Sequence, residues 1–113
     1  MIVCLCGSTR FRTAFELANM DETLKGNIVL SVGMFGHDDY PPGAKHLCAD
    51  GDEKDLTKHM LDSLHFDKID AADEILVINV GGYVGNSTRR EIAHAQNNGK
   101  RIRYMFHLNN TIT

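Results

Sequence analysis

Glu74-Ile75-Leu76-Val77-Ile78-Asn79-Val80 is a nearly continuous apolar run, the pattern of a strand buried on both faces inside a parallel sheet. A glycine-rich turn, Gly81-Gly82-Tyr83-Val84-Gly85-Asn86, follows directly. Ser87 or Thr88 then caps a helix running to about Asn98, where Gly99 stops it, and Ile102 to Phe106 forms the last strand. Upstream, Asp52 to Ala72 carries Leu56, Met60 and Leu64 at helical spacing, with Ile69 beyond. At the start of the chain, Met1 to Cys6 is a short buried strand ended by Gly7-Ser8-Thr9. From Thr9 the period becomes helical, with Phe11, Ala14, Phe15 and Ala18 on one face and a stop at Lys25-Gly26. Asn27 to Val32 is rich in branched residues and reads as the second strand.

Strands alternating with helices predict an α/β fold, a parallel sheet of about four to five strands with helices on both faces. In such sheets ligands bind beyond the carboxyl ends of the strands, near a topological switch. The loops expected there are Gly7 to Arg10, Gly33 to Gly51 and Gly81 to Ser87, where the glycines and polar residues concentrate. The Gly33 to Gly51 stretch has no clear periodicity and holds both prolines. That composition fits a binding loop or lid.

With 113 residues, the chain reads as one domain spanning 1–113. Its net charge of −3 argues against a protein that coats nucleic acid or an anionic membrane. At 42% hydrophobic residues it is too apolar for disorder. No apolar run approaches the ~20 residues of a membrane span. The opening Met1-Ile2-Val3-Cys4-Leu5-Cys6 has no basic leader. Three cysteines, Cys4, Cys6 and Cys48, form neither a disulfide framework nor a zinc-ribbon spacing. Cys4 and Cys6 share a strand face and read as small hydrophobes in a reducing compartment, so a cytoplasmic location is expected.

Three places carry the candidate chemistry. Gly7-Ser8-Thr9-Arg10 meets a helix start, where backbone N–H groups attract anions and Ser8 and Arg10 add donors. The plain alternative is an ordinary capped helix start, and the spacing of a P-loop is absent. Thr88 and Glu91 have capping-box spacing, so Glu91 either satisfies backbone donors or points into the cleft as an ionised carboxylate. His65 follows the apolar stripe at Leu64 and is either a packed residue or a proton donor. His37, Asp38, Asp39, His46 and Cys48 show no recognised metal-ligand spacing. Neither a metal nor a cofactor is expected.

The segments Asp67 to Val77, Gly85 to Ala95 and Gly99 to Ile102, with Cys6-Gly7-Ser8-Thr9-Arg10, resemble the nucleoside 2-deoxyribosyltransferase superfamily. The opening loop is similar to that of its nucleoside 5′-monophosphate N-glycosidase branch and of related small uncharacterised proteins. The resemblance implies a flavodoxin-like or Rossmann-like three-layer sandwich and cleavage or transfer at an N-glycosidic bond. It places Glu91 as the nucleophile that forms a covalent glycosyl-enzyme. The family's second carboxylate aligns with His65, which makes His65 the candidate acid and Asp67 the nearest carboxylate. Ser8, Arg10, Ser87 and Thr88 would meet a phosphate, together with Gly7, Thr9, Gly82 and Gly85 of the same loops. Phe35, Gly36 and His37 would line the base pocket, with Phe35 equally suited to the core. The resemblance also implies a homodimer. The chain ends soon after the last strand, which makes a transferase less expected than a monophosphate hydrolase or a binder.

Two readings of function follow. In the first the protein hydrolyses a (deoxy)nucleoside 5′-monophosphate. In the second it binds a nucleotide-derived ligand without turnover, as a sensor or sequestering module. A scaffold that keeps the fold alone is a third. In the first two the partner is a small molecule, with no nucleic acid polymer and no membrane.

Overall fold

The computed structural model describes residues 1–35 and 56–107, with side chains from 58 onward in the second segment. Gly36, His37 and the 37–48 group of potential ligands lie outside the described residues. Within them the order is β1 (Ile2–Gly7), α1 (Arg12–Leu24), β2 (Ile28–Leu30), α2 (Leu56–Ala71), β3 (Glu74–Ile78), a 3-10 turn (Val80–Gly82), α3 (Asn86–Asn97) and β4 (Arg101–Tyr104).

The four strands form one all-parallel sheet in the order β2-β1-β3-β4, as expected of a flavodoxin-like or Rossmann-like sandwich. Strand alternation divides the core into two layers. Val3, Leu5, Leu76 and Ile78 face one side and pack with Phe15 and Ala18 of α1. Cys4, Cys6, Ile75 and Val77 face the other and pack with Ile69 of α2 and Ala95 of α3. The chain therefore changes faces between β2 and β3. The switch point falls between the neighbouring strands β1 and β3, whose carboxyl ends form the floor of a crevice.

Local chemistry trims the expected elements. Helix α1 begins at Arg12 rather than Thr9, because the Phe11 N–H turns back onto the Ser8 carbonyl at 3.0 Å. Strand β2 is shorter than its apolar run, spanning only Ile28–Leu30. After β3, Gly81 and Gly82 adopt φ of 62° and 82° and turn the chain sharply, a backbone region that glycine enters without steric cost. Gly7 has a different constraint. A Cβ there would lie 2.9 Å from both the Cβ and the carbonyl oxygen of Ile78, so β1 and β3 meet at the crevice floor only because the side chain is absent.

Polar groups pin the sheet at both ends. The Ile2 N–H donates to the Asp73 carboxylate at 2.7 Å. Buried Asn79 brackets the end of β4, donating to the Phe106 carbonyl and accepting from the Phe106 N–H. On the α1 side, Arg103 of β4 reaches both Glu22 and Glu74 at 2.7 Å. Among the described residues no helix is long and apolar enough to cross a membrane.

Candidate functional site

The crevice is a cleft of about 350 Å³, within the range of small-molecule pockets. One wall is the β1–α1 loop with Gly7, Ser8 and Thr9. The opposite wall is the start of α3 with Gly85, Asn86, Ser87, Thr88, Arg90 and Glu91. Helix α2 closes a third side with Lys58, Asp62, His65 and Lys68.

Glu91 does not close a capping box. The residue preceding α3 is Gly85, and no side chain caps that helix end. The Glu91 carboxylate turns inward instead. Its side chain is only 13% exposed, and Oε1 lies 3.9 Å from Nε2 of His65. Burial pushes the Glu91 acid up to about 7, reinforced by charge at Cys4 and Asp62; the positive charge of His65 and a hydrogen bond from Cys6 oppose the rise.

His65 is buried, and its Nε2 faces two sulfurs, Cys6 Sγ at 3.5 Å and Cys4 Sγ at 3.7 Å. Burial disfavours the imidazolium, but its hydrogen bond with Cys4 and the negative charges of Glu91 and Cys4 outweigh burial and raise the pKa. The two thiols titrate as one system. The hydrogen bond from Cys6 outweighs burial and brings Cys4 down to about 6, helped by His65 and Lys68. Cys6 moves upward through the same hydrogen bond and its own burial.

The rim is cationic and hydroxylic. Ser8 Oγ accepts from the Arg10 backbone N–H and from Arg10 Nε at 3.0 Å. The Arg10 guanidinium then lies over the Tyr83 ring, 4.6 Å from its centroid. Across the cleft, Arg90 donates to Ser87 Oγ at 3.2 Å. The N-terminus of α3 opens on the same space, a favourable field for an anion.

The structure thus brings together Glu91, His65, Gly7, Ser8, Thr9, Gly85, Ser87 and Thr88 from the residues singled out in the sequence. Arg10 and Gly82 do not line the cleft; Arg10 acts through Ser8 and Tyr83. Phe35 packs edge-on against Phe15, with ring centroids 5.2 Å apart, in the α1-side core. Asp67 is exposed and away from the cleft. Among the described residues the cleft's other carboxylate is Asp62, one helical turn before His65 and paired with Lys58 at 3.3 Å. Sequence reasoning missed Asp62, although its position three residues before His65 puts both on one helix face. It also missed the convergence of Cys4 and Cys6 on His65. Strand alternation gives the shared face of the two cysteines but not the residue that covers it.

Comparison with known proteins finds no matching family model, no significantly similar curated protein and no significantly similar solved structure.

Proposed function

We propose that the protein is an N-glycosidase acting on a (deoxy)nucleoside 5′-monophosphate, with Glu91 as nucleophile. One observation carries this reading: an enclosed carboxylate at the floor of a cleft whose rim carries Ser8, Ser87, Thr88 and Arg90. The rim groups and the N-terminus of α3 suit a phosphate monoester. With the phosphate held there, the sugar lies over Glu91.

In the first step the ionised Glu91 oxygen bonds to the anomeric carbon. The carbon–nitrogen bond breaks, and its electron pair leaves on the base. The transition state has oxocarbenium character, which an adjacent carboxylate stabilises. In the second step water attacks the same carbon, a proton passes to solvent, and Glu91 departs as carboxylate. His65 sits behind Glu91, and its positive charge favours the ionised acid. Asp62, further along the same wall, is placed to hydrogen-bond the departing base.

The enclosure of Glu91 also favours a second reading, a module that binds the nucleotide without turnover. Both are tested by incubating the protein with a panel of nucleoside 5′-monophosphates and measuring free base, with Glu91→Gln alongside. Release by the native protein alone supports the glycosidase. Tight binding without release supports the module, and equal release by the variant removes Glu91 from the chemistry.

A further inference from the structure

We propose that Cys4, Cys6 and His65 form a zinc-binding site beneath the cleft floor, with the fourth position left to water. The site shares His65 with the proposed reaction but does not depend on it.

The argument begins with the strand. Residues two apart on β1 project to the same face, and here that face is covered by α2, which carries His65. The two sulfurs and the imidazole nitrogen all lie within 4.8 Å of one another, and all three residues are buried. A tetrahedral zinc with Zn–S of about 2.3 Å and Zn–N of about 2.0–2.1 Å sets sulfur and nitrogen about 3.5 Å apart. The observed separations are 3.5 and 3.7 Å.

The donor chemistry leads to the same class of ion. Two thiolates and an imidazole suit zinc and do not suit magnesium or calcium. A disulfide is no substitute, because cysteines two apart on an extended strand direct their Cβ atoms in parallel, with Cα atoms near the upper limit for a bridge. On binding, the thiols release their protons to solvent, and the cation bonds both sulfurs.

The test uses the full chain, stripped with a chelator and titrated with cobalt(II) and then zinc. The expected result is one equivalent of cobalt, with thiolate-to-metal charge-transfer absorption and the visible bands of a tetrahedral ion, displaced by zinc. Cys4→Ser and Cys6→Ser each lose charge-transfer intensity, and Cys48→Ser keeps it. X-ray absorption at the zinc edge of the native protein needs no variant and should show two sulfur and two lighter neighbours. An all-nitrogen-and-oxygen shell overturns the proposal. So does the absence of charge-transfer absorption, or its loss in Cys48→Ser rather than in the Cys4 and Cys6 variants. None of these readouts involves a nucleotide, so they are decided separately from base release.

Discussion

His65 Nε2 and Glu91 Oε1 stand 3.9 Å apart at the bottom of the cleft, joining α2 to α3 through two enclosed titratable groups. The sheet places them. Gly7 lets β1 approach β3, and the glycine turn after β3 returns the chain so that α3 begins over the β1 end.

Enclosure of Glu91 makes stability depend on pH. The folded acid titrates near 7, above the ~4.3 of an unfolded glutamate. Between these values the folded state binds more protons, so stability falls as pH rises through the window and stays lowered above it. The cost is on the order of 3 kcal/mol. Urea unfolding in chelator should show this decline in the native protein, and Glu91→Gln should flatten it. An unchanged slope in the variant would place the titration elsewhere.

Glu22 gives the opposite dependence. Burial raises its pKa, but hydrogen bonds from Arg103, Asn27 and Lys25 outweigh burial and leave it below the usual carboxylate range. Its contribution is present above the unfolded value and is lost as pH falls through the folded one. Arg103→Met leaves Glu22 and Glu74 buried without this partner. It should cost about 2 kcal/mol, less than a fully buried pair because solvent reaches Arg103. Chemical denaturation at pH 7 checks the loss.

Gly7→Ala should destabilise by about 1–3 kcal/mol, since the new methyl meets the Ile78 backbone as well as its side chain. The same displacement opens the β1–β3 junction under the cleft. A melting temperature equal to the native value would contradict the close packing at this point.

Arg90→Ala tests the rim. It should raise the nucleotide KM about tenfold, a loss of about 1.4 kcal/mol, with little change in kcat. Activity on the nucleoside lacking phosphate should be unaffected. Equal losses on both substrates would assign Arg90 to the fold rather than to the phosphate.

The sheet and its helices were legible because Ile75 to Ile78 and Ile2 to Cys6 are apolar on both faces, and because Gly26 and Gly99 end helices at positive φ. The position of Ser8 follows from that frame, since it sits just beyond β1, and Glu91 lies one turn into the helix that follows the glycine turn after β3. Local competition hid the shorter α1, where a Ser8–Phe11 turn replaces the first helical residues. Long-range packing hid the rest. Nothing near Phe35 in the sequence says that it meets Phe15, and nothing near Cys4 says that His65 covers it.

The most direct test of Glu91 as nucleophile is the intact mass of the protein quenched in acid during turnover of a nucleoside 5′-monophosphate. The account predicts an adduct equal to the sugar phosphate on the peptide containing Glu91, absent in Glu91→Gln. Base release with no adduct at Glu91, continuing in the variant, would contradict it.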